Sequence, residues 1–229
     1  GLDDPALDEV QNIAGLVKEL GFLALAFTPA AIADELAAAL EAQGLTVGFW
    51  QHLLSSEQTA TACRAVLAAR HLPLGTKIER ISPKTPRQRL QSCQELMQSC
   101  GVAPPPGYIL RGQELPAIAE MVINAEDEVV ASGASLFRHS PAGPNGKAAH
   151  VGYLATEPSY RGQGLAQLLL ARVSLASFEE YGASMLHTGV RAANKPSQRV
   201  CHNCGLHDSG TFFVGVAYPP LLEGGSLTR

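Results

Sequence analysis

The chain has 229 residues, 46% hydrophobic and 17% charged, and its 17 Lys and Arg against 21 Asp and Glu give a formal net charge of −4. That composition supplies a closed apolar core and excludes the disordered class, which combines low hydrophobicity with high charge. It lacks the basic excess of non-specific nucleic-acid binders, and no apolar run approaches the roughly 20 residues of a membrane-spanning helix, so neither nucleic acid nor membrane is expected as a partner.

Charge is spread unevenly. Residues 1–60 carry nine acidic side chains and one lysine, Lys18, whereas Lys77, Arg80, Lys84, Arg87 and Arg89 form a basic stretch that reads as a solvated face. Cys63, Cys93, Cys100, Cys201 and Cys204 make an odd count in a chain large enough to need no disulfide staple. No secretory leader is read ahead of them, and a reducing cytoplasm is the expected compartment.

In chain order, Gly21 to Phe27 reads as a buried strand, and Thr28-Pro29 supplies an N-cap and first-turn proline for a helix through Ala42. Ile32, Leu36, Ala39 and Leu40 form its apolar face, and Gly44 suits its end. A strand over Leu45–Trp50, a helix over Ser56–His71 and a strand over Thr76–Ser82 follow. Thr85-Pro86 opens a helix that runs to about Cys100, after which Pro104-Pro105-Pro106-Gly107 forbids continuation. The pattern then changes to hairpins: strands over Ile118–Asn124 and Val129–Phe137, with Gly133 marking a bulge or close backbone approach, and a third over Ala149–Thr156.

Chemistry concentrates after that third strand. Glu157-Pro158-Ser159-Tyr160-Arg161-Gly162-Gln163-Gly164-Leu165-Ala166 leads into a helix whose Leu165, Leu168, Leu169, Val173 and Ala176 share one face, with Gln167 and Arg172 pointing elsewhere, until Gly182. A strand, a glycine-bearing turn and a helix N-terminus in succession place unpaired N–H groups and the positive dipole end around one concavity, an anion site. Glycine pairs alone are weak evidence of it. The dinucleotide fingerprint also fails, because the preceding strands are joined as hairpins and not by a helical crossover.

Leu154 to Ala166 resembles the acetyl-CoA motif of the GNAT N-acetyltransferase superfamily, Gln/Arg-x-x-Gly-x-Gly/Ala, which Arg161, Gly164 and Ala166 satisfy. Asn194 to Leu206 resembles the family's second motif, in which Asn and a small residue open a helix that ends in Gly-Phe. The resemblance implies an α/β (α+β) fold: a mixed, mostly antiparallel sheet flanked by helices, with a transferase core over residues 75–229 and an N-terminal α/β extension over 1–74. That extension could be a worn second copy of the same fold.

The resemblance further implies that acetyl-CoA is the co-substrate. Its pantetheine arm would pair with the backbone of Leu154, Ala155 and Thr156, and its pyrophosphate would lie on the N–H groups of Gly162, Gln163, Gly164, Leu165 and Ala166. Asn194 and Ser197 would flank the arm. The acceptor would be an amine, on a small molecule or a protein, that attacks the thioester directly. The amine must be neutral: at pH 7 about one lysine-type amine in 2,500 is, against roughly one α-amine in seven.

The sequence departs from the family at Cys201, which stands where many members have the Tyr that protonates the leaving thiolate. Cys201 could donate a proton or simply pack, and the missing phenol raises the alternative of a CoA-binding sensor or interaction module without turnover. His150 and His187, on the two strands beside the thioester, and Glu120 are further candidate bases. Cys201-His202-Asn203-Cys204 with His207 lacks the second ligand pair of a closed zinc site, so no metal is expected.

Overall fold

A computed structural model describes residues 2–3 and 5–218. In chain order its elements are β1 (Leu2–Asp3), α1 (Val10–Leu20), β2 (Phe22–Pro29), α2 (Ala30–Glu41), β3 (Thr46–Ser55), α3 (Thr59–Ala69), β4 (Lys77–Arg80), α4 (Arg87–Ser99) and α5 (Gly107–Leu110). They continue with β5 (Ala117–Ile123), β6 (Val129–Leu136), β7 (Ala148–Thr156), α6 (Leu165–Tyr181), β8 (Met185–Val190), α7 (Lys195–Asn203) and β9 (Leu206–Ala217). Among the described residues, one unit holds the chain up to Leu53 with Thr188–Lys195 and the segment from Asp208. The other holds Leu54–His187 with Pro196–His207.

The first unit is an α/β layer with strand order β1-β2-β9-β3, in which β1 and β2 are parallel and β2 and β9 antiparallel. Ile13 and Val17 of α1 and Leu36 and Leu40 of α2 close its core against Leu25 and Val216. Thr28 does not cap α2 as expected. It remains in the strand, buried, with Oγ1 donating to the Leu25 carbonyl at 3.4 Å, and Pro29 takes the N-cap position. The buried face of α2 is Ala33, Leu36, Ala37 and Leu40, slightly rotated from the expected one.

The second unit carries strand order β8-β7-β6-β5-β4, antiparallel throughout except for the parallel pair β7 and β8. Period-2 alternation sends Ala119, Met121 and Ile123 of β5 to the face covered by α4, where Leu90, Cys93 and Met97 meet them. Val122, on the other face, packs with Leu165 and Leu169 of α6. Both faces are therefore covered, and every residue of β5 is buried.

Helix α6 ends at Gly182, whose φ of +62° is easily adopted only without a Cβ. It is buried on more than its expected face: Leu170, Ala171, Ser174, Leu175 and Ser177 are buried too, while Ala176 is only partly so. Arg172, expected off that face, grips Glu120 of β5. α1, α5 and β9 have no counterpart among the expected elements. α1 carries an internal Gly15, α5 is a single turn, and β9 alternates weakly through His207-Asp208-Ser209-Gly210.

Candidate active site

Ladder register positions the site. Ser132 of β6 lies opposite Ala155 of β7 and Ala134 lies opposite Gly152, so two steps on β6 match three on β7. The extra residue is a bulge facing Gly133, and within it Tyr153 takes φ +53°, a left-handed conformation that non-glycine residues seldom adopt. Gly133 is also a close approach: a Cβ there would lie 3.1 Å from both Leu154 Cδ2 and Leu169 Cβ.

The bulge overturns the simple alternation of β7, which would place His150 and Leu154 on one face and Tyr153 on the other. Leu154 packs on the α6 side, Tyr153 and Ala155 on the α4 side. His150 and Tyr153 stand together, ring centroids 5.6 Å apart. On its other edge β7 pairs with β8 only from Ala148/Met185 to His150/His187. Among the described residues, the stretch from Val151 to Thr156 has no ladder partner on that side, and it includes Leu154, Ala155 and Thr156. The Thr156 carbonyl accepts from Arg161 Nε at 3.1 Å.

The loop after β7 forms one tight turn, with the Tyr160 N–H donating to Glu157 at 2.9 Å, and then two glycines in the left-handed region, Gly162 at φ +78° and Gly164 at φ +83°. Gly164 is the N-cap of α6, and its carbonyl accepts from the Leu168 N–H at 2.9 Å. Among the described residues, the N–H groups of Gly162, Gln163, Gly164, Leu165 and Ala166 donate to no backbone carbonyl. The Gln163 side chain instead reaches back to the Ser159 carbonyl at 3.4 Å.

Arg70, which no local pattern marks, lies beside this loop. A Cβ on Gly164 would meet Arg70 Cδ at 3.2 Å and Nε at 3.4 Å, so the exposed Arg70, from the C-terminal end of α3, brings a guanidinium to the helix N-terminus. Arg64, on the same helix, is paired with Glu179 of α6 at 2.8 Å. Dipole, amides and guanidinium all favour an anion.

Ser197 and Cys201 follow on α7. Cys201 is 3% exposed, and burial pushes its thiol up to about 12. Cys204 is buried beside Cys63, whose Sγ donates to the Cys204 carbonyl at 3.5 Å. Asn194 belongs to the first unit, where its N–H donates to the Arg191 carbonyl at 2.9 Å. Glu120, the other candidate base, faces α6, is 4% exposed, and both its carboxylate oxygens accept from Arg172, Oε1 at 2.9 Å, so it is held in an ion pair.

The Acetyltransferase (GNAT) family profile matches residues 89–206, from α4 through α7 and a little over half of the chain. Among solved structures, a GCN5-related N-acetyltransferase from Kribbella flavida is 16% identical with a TM-score of 0.57, the match covering 92% of this chain and 74% of that one. A tandem GNAT protein from the clavulanic acid biosynthesis pathway is 16% identical with a TM-score of 0.58, covering 90% and 67%. A GNAT-family protein from Novosphingobium aromaticivorans is 17% identical with a TM-score of 0.55, covering 90% and 78%. At such identities these structures share the fold. No curated protein sequence matches the chain. With the bulged strand, the glycine loop and the profile in agreement, the chain belongs to the Acetyltransferase (GNAT) family.

Proposed function

We propose that the protein transfers an acetyl group from acetyl-CoA to an amine, on a small molecule or a protein, by direct attack in a ternary complex. The observation that carries this reading is the glycine loop: five successive N–H groups from Gly162 to Ala166 that, among the described residues, have no backbone acceptor, at the start of a long helix beside Arg70. The pyrophosphate is assigned to those groups and the pantetheine amides to the open edge at Leu154, Ala155 and Thr156. Arg161, folded onto the Thr156 carbonyl, holds the turn. Ser197 is assigned to the arm, and Asn194 keeps its assignment from the sequence motif. The transferase is assigned to residues 75–229, with 1–74 as an extension, and the free cysteines support a reducing, cytoplasmic setting.

When bound, acetyl-CoA supplies an activated carbonyl. The chain's part is to fix it beside the acceptor and to manage one proton. Cys201 is the candidate donor to the departing thiolate by its place in the second motif. A thiol pushed up to about 12 gives up its proton reluctantly; donation to a thiolate of ordinary acidity near 8.5 is uphill by about 5 kcal/mol. That favours packing as its role.

Mass spectrometry of the purified protein for a CoA species, followed by an amine panel scored by thiol release, tests the proposal. Turnover with any amine supports it, and failure to bind acetyl-CoA overturns it. The buried Cys201 in place of a tyrosine favours one second reading, a CoA-binding module; tight binding with no turnover across the panel would select it.

A further inference from the structure

Strand β6 ends at Leu136, and the two residues after it are held by different means. Phe137 is buried, its ring centroid 5.5 Å from that of Tyr181, and its N–H donates to the Pro116 carbonyl at 3.0 Å. Arg138 is exposed, yet its guanidinium is fastened: Nη1 donates to the Tyr153 hydroxyl at 3.0 Å. Tyr153 is the bulge residue at φ +53°, three residues beyond the last pair that β7 makes with β8, His150 with His187. Its half-buried ring packs on the α4 side of the sheet and stands 5.6 Å from that of His150.

Two features set Arg138 apart from the arginines that fasten the fold. Arg64, Arg80, Arg89 and Arg172 each have a carboxylate partner. Among the described residues no carboxylate pairs with Arg138, whose bond to Tyr153 goes to a neutral hydroxyl and uses one of the five N–H donors of a guanidinium. Burial pushes the Tyr153 phenol above its ordinary 10.0, so the hydroxyl keeps its proton and leaves the charge of the guanidinium uncompensated. The second feature is backbone strain. A tyrosine in the left-handed region persists only where its surroundings over-determine it, and residues so held gather at ligand sites. The bulge thus fixes a hydroxyl at the opening between β7 and β8, and the hydroxyl fixes a charged fork.

We propose that Arg138 selects the acceptor by pairing with a carboxylate on it, so that the amines acetylated are amino acids; the inference rests on the function proposed above. In that reading the phosphates lie on the glycine loop and the arm runs back along the open edge from Thr156 to Leu154, which directs the thioester toward the next residue of the strand, Tyr153. A guanidinium held at the tip of that side chain meets a carboxylate through two parallel N–H···O bonds, a geometry that a lone ammonium cannot offer. The acceptor is then fixed at two places, its carboxylate on Arg138 and its nitrogen at the thioester carbonyl, and orientation is what direct attack most requires. Tyr153 acts through Arg138 and is a positioning residue: it confines a long side chain to the bound geometry in advance, which lowers the cost of ordering it. An amine without a carboxylate gains nothing from this contact, and its protonated form is repelled.

The test sets each standard amino acid against its decarboxylated amine, scored by thiol release in the full chain. The wild-type protein should favour the carboxylate-bearing member of at least one pair by about 10-fold or more in kcat/KM. Arg138→Gln, a change at an exposed residue, should cut that preference by about 10- to 100-fold, through KM, with acetyl-CoA affinity within twofold. Comparing the ratio between proteins cancels the differing basicity of the two amines. Arg138→Lys keeps the charge without the fork and should restore part of the preference. Tyr153→Phe removes the hydroxyl and leaves the ring; it should raise KM for the amino acid about threefold or more and act on KM rather than kcat. A preference that survives Arg138→Gln, or a wild-type protein that acetylates only amines without a carboxylate, overturns the proposal and leaves acetyl transfer standing. A wild-type protein that acetylates no amine overturns both.

Discussion

Substituting Gly164 by Ala tests the phosphate cradle at its tightest point. Two costs arise. The residue sits at φ +83°, where an L side chain costs about 1–2 kcal/mol. The new methyl also meets Arg70 Cδ at 3.2 Å and Nε at 3.4 Å, so the guanidinium must give way by a few tenths of an ångström. If the loop relieves the strain by leaving its phosphate-binding shape, CoA affinity falls about 5- to 30-fold, at ~1.4 kcal/mol per factor of ten. Gly162→Ala is the matched control, since its φ is +78° but a Cβ there meets nothing within 4 Å. It should carry the strain alone. The combination Gly164→Ala with Arg70→Ala removes the contact, and its departure from additivity measures how strongly the two sites couple. Calorimetric titration with CoA, alongside thermal melts, reads the wild type, both glycine variants, Arg70→Ala and the double variant. An unchanged Kd in a folded Gly164→Ala protein would refute the cradle.

Arg70→Ala alone should weaken CoA binding about fivefold at low ionic strength, and the gap should close as added salt screens an exposed guanidinium; titrations across a salt series check this. Arg172→Met should destabilise the fold by about 2–3 kcal/mol in urea unfolding, because it strands the buried Glu120 carboxylate, although the 39% exposed arginine side chain keeps the loss below that of a fully buried pair. Gly205→Ala should cost about 2 kcal/mol or more by the same measurement. It sits at φ +79°, and its Cβ would fall 2.8 Å from Thr59 Cα, a backbone atom that cannot swing aside. Burial pushes the Cys93 and Cys201 thiols from 9.0 up to about 12. Between those values the unfolded chain has lost these protons and the folded chain keeps them. Stability is thus fully present below pH 9 and should fall by about 1.4 kcal/mol per pH unit per thiol above it. Cys201→Ala should lose less stability than wild type between about pH 8 and about pH 10.

The strand, glycine loop and helix from Ala148 to Gly182 were legible because their determinants are local. An apolar run, two glycines free to take positive φ, and an amphipathic repeat act over a few residues each. The same locality explains the expected ends of α4 near Cys100 and of α6 at Gly182. Thr28 shows the limit: its Thr-Pro pair has the composition of a helix start, yet strand pairing with Phe212 of β9 holds it in the sheet.

The meetings between distant residues were settled by packing alone. One extra residue against Gly133 turned Tyr153 to the face of His150, and no pattern within β7 marks where a partner strand will skip a step. The basic residues of the early stretch became specific partners, Arg80 of Glu180 and Arg89 of Asp127, once α6 and the β5–β6 turn came to them. Glu120 is held in an ion pair by Arg172, on a helix that folds across its strand. Arg70 reached the glycine loop the same way. A sequence encodes what neighbouring residues impose on each other's backbone; which side chains share a cavity depends on the topology that brings remote segments together, and that is fixed only when the core closes.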